Sequence, residues 1–229
     1  MDQPHTAREL PADLLVGDAG RSRSEPIRTA TDHDVTVAVL LDLLMATMDS
    51  MSTWSSAARD RERGMAWRDA VTARMIAAER YLPYDELVVA AAAELGLPAD
   101  APDRLGAAWS EMRPWPDVAA IQRLDVPFAF VTNCSRVLAD EAARGSGLEP
   151  AFTLSAEEAG WYKPRPEMYR LACDRLEASV GEIHFVAGAP YDALGASAAG
   201  LRATLVARRP PTGPLPPEIS VVPSLADAV

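Results

Sequence analysis

The chain has 229 residues, a formal net charge of −11 and 48% hydrophobic residues. That content supplies a buried core and excludes a disordered chain, and the length fits one domain carrying an elaboration or a small second domain. The acidic balance argues against nucleic acid or an anionic membrane surface as partner, although a local basic pocket can still hold a small anion.

Residues 1–34 are polar, with Pro4, Pro11 and Pro26, and are expected to form a loose N-terminal tail. The opening segment MDQPHTAREL lacks the apolar core of a secretory signal, and no apolar stretch is long enough to span a bilayer. A soluble cytoplasmic protein is the expectation. The first buried strand is predicted over Val35–Leu41, a continuous apolar run of the kind found in a parallel sheet covered on both faces. It ends on Asp42.

From Ser50 to about Met112 the pattern turns helical. The run AWRDAVTARMIAAERYL repeats apolar residues at three- and four-residue spacing, Pro83 and Gly96 bracket a second helix, and a further helix follows Pro102. Residues 50–112 therefore read as an all-helical cap inserted into a core made of residues 35–49 and 113–229. After Pro116 helices and strands alternate. Helix DVAAIQRL precedes strand PFAFVT, helix RVLADEAA precedes AFTL, and helix PEMYRLACDRLEA precedes IHFVA. Helix DALGASAA precedes ATLVA, and ISVV follows a proline-rich connector as a final edge strand. This alternation predicts an α/β fold, a Rossmann-like doubly wound parallel sheet with ligands at the carboxyl ends of its strands.

Four segments fall at or near such ends. A carboxylate at Asp42, partly desolvated after an apolar strand, can attack electrophilic carbon or phosphorus and form an ester, or it can simply cap the next turn. Lys163, flanked by prolines on its C-terminal side, can pair with Asp42 and hold an anion, or be a solvated surface lysine. Thr132, Asn133 and Ser135 lie where strand becomes helix and can form an anion cradle or an ordinary N-cap. Asp192 can orient Lys163, position water, bind metal, or cap the helix after it. Tyr169 can aim its hydroxyl into the pocket or only pack. Cys134 and Cys173 form neither a disulfide framework nor a zinc-ligand spacing, and His5, His33 and His184 are too scattered for a triad. No nucleotide-binding glycine loop is present, so no organic cofactor is expected.

The order Asp42, Thr132-Asn133, Lys163-Pro-x-Pro-x-x-Tyr169 and a Gly188-x-x-x-Asp192 loop resembles the haloacid dehalogenase superfamily, closest to its L-2-haloacid dehalogenase branch. The resemblance covers about Val35 to Val229. It implies Asp42 as nucleophile, Lys163 as its partner and Asp192 as a late acidic residue. It also implies Thr132 and Asn133 as carboxylate or oxyanion binders, Tyr169 as a pocket donor, and Arg68 of the Trp67-Arg68 pair as a halide-side arginine. The chain departs from the pattern in places. Leu44 replaces the general-acid aspartate of the superfamily's phosphatases, and Gly188 replaces their acidic magnesium ligand, which implies metal-independent chemistry. Met45-Ala46 stand where dehalogenases carry Gly-Thr, with Thr47 one position on, and Ala187, Gly188 and Ala189 replace small polar residues that hold the hydrolytic water.

Three functions follow as expectations. The first is a metal-independent dehalogenase-like hydrolase acting on a small anionic substrate, with no cofactor. The second is a diverged biosynthetic enzyme that expels halide, sulfate or phosphate by intramolecular cyclisation or elimination. The third is a non-catalytic binding partner, using residues 1–34 with Met45, Met48, Met51 and Trp54 as a protein interface. The partner expected in the first two is a small molecule; a homodimer or a heteromeric partner subunit stays open.

Overall fold

The computed structural model describes residues 36–211 and 213–229. The tail expected over residues 1–34 lies outside the described residues. In chain order the elements are β1 (Ala38–Asp42), then α1 (Ser50–Ala58), α2 (Arg61–Ala77), α3 (Tyr84–Glu94) and α4 (Ala101–Trp109). Next come β2 (Phe128–Thr132), α5 (Arg136–Gly145), β3 (Thr153–Ser155), α6 (Ala156–Ala159) and α7 (Pro166–Arg175). The chain closes with β4 (Ile183–Ala187), α8 (Pro190–Ala198), β5 (Arg202–Val206) and β6 (Ser220–Val222).

All strand pairings are parallel, in the order β3-β2-β1-β4-β5-β6. Every residue of the central strands β1 and β4 is buried, which is why these strands are mostly apolar on both faces, broken only by His184 and the terminal Asp42. The connections run to one side through β2 and β3 and to the other through β5 and β6. The order therefore reverses between β1 and β4, and the crevice at their carboxyl ends is the position where such sheets bind ligands.

Three details differ from the sequence reading. Among the described residues the first strand begins at Ala38, after Thr36 and the 37% exposed Val37; Val35, where it was expected to begin, lies outside them. The segment DVAAIQRL forms a 3-10 helix over Val118–Arg123, because it buries only the adjacent Ala120 and Ile121 and has no second apolar turn to extend along. Helix α2 stops at Ala77 instead of continuing through Leu82. Ala78 is already extended, and the N–H of Tyr81 is taken by the carbonyl of Gly160 at 2.9 Å, a tertiary contact that outweighs local helix preference.

The helices between β1 and β2 pack on one another and on the sheet layer. Asp49 and Asp60 cap α1 and α2 by accepting from the N–H groups of Ser52 and Arg63. Trp67 on α2 meets Trp54 on α1 edge-on, with centroids 4.9 Å apart, and donates its indole N–H to Val88 O of α3 at 2.9 Å. Two further bonds tie these helices to the core: Trp109 Nε1 donates to Leu138 O at 3.0 Å, and Tyr162 Oη donates to Leu82 O at 2.7 Å. Helices α1 and α2 approach so closely that a Cβ at Gly64 would lie 2.7 Å from Ser55 Cα and from Trp54 O. Gly64→Ala is therefore expected to destabilise the fold by about 1–3 kcal/mol, as overpacking does where backbone cannot yield. A urea denaturation midpoint equal to that of the parent chain would show that this contact is not tight.

Candidate active site

Asp42 closes β1 and is 5% exposed. The chain then forms a π-helical turn over Leu43–Thr47, which presents the N–H groups of Met45 and Ala46 to Asp42 Oδ2 at 3.1 and 3.3 Å. A π turn takes one residue more per hydrogen bond than an α turn. That extra residue lets Thr47 Oγ1 reach back to Asp42 O at 3.1 Å. The Thr47 hydroxyl thus steadies the backbone of Asp42.

The same turn is held from outside. Trp115 Nε1 donates to Met45 O at 3.0 Å, and Arg208 donates to Ala46 O at 2.7 Å. Arg208 is itself fixed by two hydrogen bonds of 2.9 Å to the Asp117 carboxylate and stands over the Trp115 ring. None of Trp115, Asp117 and Arg208 was singled out from sequence. Trp115 and Arg208 stand 70 and 162 residues from the carbonyls they hold, and no spacing rule could have paired them.

Lys163 reaches the site from the loop between α6 and α7 and is 1% exposed. Asn133 clamps its main chain, accepting from Lys163 N at 2.7 Å and donating to Lys163 O at 2.9 Å. The ammonium donates to Asp42 Oδ1 at 2.8 Å, Asp192 Oδ2 at 2.6 Å and Val131 O at 3.0 Å, so its three protons meet three acceptors. Asp192 also accepts from Tyr169 Oη at 2.6 Å. Asp192 is not the N-cap of α8, as one sequence reading allowed. Helix α8 begins at Pro190 after Ala189, which puts Asp192 inside its first turn.

Burial by itself would lower the Lys163 pKa, but the carboxylates of Asp192 and Asp42 more than reverse this and hold it above the ordinary lysine value. Burial raises the Asp192 carboxyl to about 6; Lys163 opposes the rise and Asp42 adds to it. The cluster thus sets the Lys163 cation between the carboxyl groups of Asp42 and Asp192.

A narrow cavity of about 30 Å³ opens on Asp42, with room for no more than a couple of waters. Arg68, Tyr84, Asn133, Tyr191 and Trp54 are among the residues that line it. Arg68 faces the cavity from α2 and donates to Asp69 Oδ1 at 3.0 Å. Burial raises the phenol pKa of Tyr84 well above its ordinary value and pushes that of Tyr191 up to about 12, so both are neutral hydroxyl donors. These tyrosines were missed from sequence. Tyr191 directly precedes Asp192, the one signal that could have found it.

Other predicted positions lie elsewhere. Thr132 is buried with its hydroxyl 3.6 Å from Cys134 Sγ and does not line the cavity. Ser135 borders a separate groove with Val88, Val137 and Leu138, and its side chain makes no capping bond. The Tyr169 hydroxyl stands behind Asp192 instead of in the pocket, because α7 packs Tyr169 edge-on against Phe185. Met45, Met48 and Trp54 are buried, so they do not form the exposed interface weighed from sequence.

A divalent metal does not fit this arrangement. The position between Asp42 and Asp192 is taken by the Lys163 ammonium. At Gly188 a Cβ would lie 2.3 Å from Ala46 N, so no carboxylate side chain can enter there. Among the described residues, no three His, Cys, Asp or Glu side chains are grouped to hold an ion.

A family model described as haloacid dehalogenase-like hydrolase matches residues 27–200. The chain belongs to this family. It is 30% identical over 115 residues to (S)-2-haloacid dehalogenase 1 of Pseudomonas sp. (strain CBS-3), covering 48% of this chain and 51% of that one. It is 31% identical over 113 residues to (S)-2-haloacid dehalogenase 4A of Burkholderia cepacia, covering 47% and 49%. The chain thus spans about half the length of the curated relatives it matches. In solved structures the likeness is longer. One crystal structure of a dehalogenase has a TM-score of 0.71 at 25% identity, over 85% of this chain and 96% of that one. The L-2-haloacid dehalogenase of Xanthobacter autotrophicus with chloropropionic acid covalently bound has a TM-score of 0.70 at 20% identity, over 84% and 96%, and shares the fold. The parallel α/β sheet and the family expected from the motifs are both found.

The Asp192 carboxyl rises from 3.8 unfolded to about 6 folded. Its contribution to stability is therefore fully present below the unfolded value and is lost as pH rises through the folded one. The Tyr169 hydrogen bond favours the ionised carboxylate. Tyr169→Phe is expected to cost about 1–3 kcal/mol at pH 8 and less at pH 5, where Asp192 is protonated. Urea melts at the two pH values test this; an equal cost at both would dissociate Tyr169 from the charge on Asp192.

Proposed function

We propose that this protein is a metal-independent, dehalogenase-like hydrolase that displaces a leaving group from a small anionic substrate through Asp42. The observation that carries the reading is the buried Asp42–Lys163–Asp192 cluster at the reversal of the sheet order. An ammonium stands 2.8 Å from Asp42 Oδ1 where water is scarce, a partner matched to the charge of a carboxylate nucleophile. The (S)-2-haloacid dehalogenases among its relatives favour carbon over phosphorus as the electrophile. So does Leu44, which has no proton to offer the leaving oxygen of a phosphate ester.

In this reading a carboxylate oxygen of Asp42 forms a bond to the substrate carbon, and the leaving group departs with the electrons of the broken bond. Arg68, Tyr84 and Tyr191 face this exchange across the cavity and supply donors for the substrate's negative charge. Water then adds to the ester carbonyl, the alcohol leaves, and Asp42 returns as carboxylate with a proton released. The four helices between β1 and β2 serve as the cap that brings Arg68 over the site. Lys163 and Asn133 act together, one as charge and the other as the clamp on its backbone.

A second reading is favoured by one observation. Ala187, Gly188 and Ala189 provide no side-chain donor for a hydrolytic water, and both oxygens of Asp192 are already engaged. A substrate carrying its own amine or hydroxyl could then close a ring or form an alkene as halide, sulfate or phosphate leaves, with Asp42 taking or orienting the proton.

Chloride release from L-2-chloropropionate by the purified protein in excess chelator tests the first reading. Release is expected without metal, falling by about 10⁴-fold in Asp42→Asn, as loss of a covalent nucleophile does. Absence of Asp42-dependent release from the folded protein would overturn it. Many turnovers in ¹⁸O-water separate the two chemistries: hydrolysis of the ester places the label first in the Asp42 carboxylate and, in later turnovers, in product, whereas cyclisation or elimination leaves both unlabelled.

A further inference from the structure

The cavity on Asp42 is not isolated. Met45, Arg68, Thr72 and Tyr191 line it and also line a much larger cleft, of about 740 Å³, on their other side. The cleft lies along α2, the Gly188–Pro190 loop and the chain after β5. Its volume falls within the ~300–1,000 Å³ of sites that bury ligands of several rings or a long chain. The inner cavity takes only the reacting end of a molecule. A three-carbon acid would leave the cleft empty of everything but water.

The cleft has its own chemistry. Its walls include apolar positions, Ile76, Leu205, Ala207, Pro210 and Pro211. Its charged lining is three arginines, Arg61, Arg68 and Arg209, against one aspartate, Asp69. That aspartate is already engaged by Arg68 at 3.0 Å and stands 3.9 Å from Arg209. Arg61 has no carboxylate partner among the described residues. In a chain of net charge −11, a cleft with surplus positive charge is the local exception that selects an anion.

We propose that the substrate is extended and doubly anionic: a reacting carboxylate end in the cavity on Asp42, an apolar chain passing the shared residues Met45, Arg68, Thr72 and Tyr191, and a second anionic group met by Arg61 and Arg209. This rests on the reading of Asp42 as the reacting carboxylate only for which end enters first. Arg61 and Arg209 are then specificity residues that never touch the reacting atoms. They act on binding of the far end, and their effect weakens with added salt, as between solvated charges.

Calorimetric titration of the wild-type protein with unreactive acids tests the proposal without turnover. Propionate, octanoate and suberate compare a short acid, an apolar chain, and an apolar chain with a second carboxylate. Suberate is expected to bind tightest, and Arg61→Ser with Arg209→Ser to weaken it about tenfold while leaving propionate unchanged. Both arginines are exposed, so the double variant is expected to fold, and its melting curve checks this. Equal affinity for the three acids overturns the proposal. Octanoate binding as tightly as suberate, or suberate binding unaffected by the double variant, overturns the second anionic group. Chloride release is measured separately from L-2-chloropropionate and from 2-chlorosuberate: chain-length-dependent binding without release from either would sink the hydrolase reading and leave the extended ligand standing.

Discussion

Everything at this site depends on one buried ammonium. Lys163 Nζ is shared by a carboxylate from the end of β1, a carbonyl from β2 and a carboxylate from the first turn of α8. Those elements lie on both sides of the sheet reversal, so a single cation joins the two halves of the doubly wound fold at the point where the chain leaves a gap. Burying a charge costs several kcal/mol unless it is paired and its hydrogen bonds are complete. Here they are complete, with three donors and three acceptors. Removing the Lys163 ammonium would leave two carboxylates facing one another in a dry site, which is why the stability of the cluster rests on the cation.

The clamp by Asn133 follows from that dependence. An ammonium on a flexible four-carbon stem loses much rotamer freedom when fixed. Two hydrogen bonds from one side-chain amide hold the Lys163 main chain on both its N–H and its carbonyl, which shortens the part of the chain left to order. Anion binding was expected of Asn133 from its place after β2. Its amide is spent first on positioning the cation. Tyr169 has the matching task on the other side, completing the second oxygen of Asp192.

Much of this was legible in the residues. The parallel sheet, the helical stretch before β2, and the convergence of Asp42, Lys163 and Asp192 all follow from apolar runs that end on polar residues. These are local patterns, and a sheet with ligands at its carboxyl ends converts them into a site. Arg68 could be located in the helical segment, since α2 buries one face through Trp67, Val71 and Met75. What was illegible is of two kinds. Long-range polar contacts such as Arg208 to Ala46 O and Tyr162 to Leu82 O have no sequence period. Directions of side chains at element ends also escaped: Thr132, Ser135 and Tyr169 sit beside the cavity in sequence, yet their hydroxyls turn to Cys134, to another groove and to Asp192. A half-turn at a strand end decides between pocket and core, and composition carries no record of it.

The departures from the family pattern are not independent. The π turn after Asp42 carries one residue beyond an α turn, and the extra bulk of Met45 and Ala46 is pressed against Gly188, where even a Cβ has no space. An acidic residue at position 188 and this turn cannot coexist. The Gly188 and Met45-Ala46 positions are therefore tied by one close contact seen at two places in the sequence. The Lys163 ammonium holds the position between Asp42 and Asp192. The turn itself is held from outside, at its carbonyls of Met45 and Ala46. Trp115 and Arg208 take them. The first loop is thus closed and braced by a guanidinium. The Asp42 carboxylate is therefore set among fixed protein dipoles, two N–H groups and one ammonium.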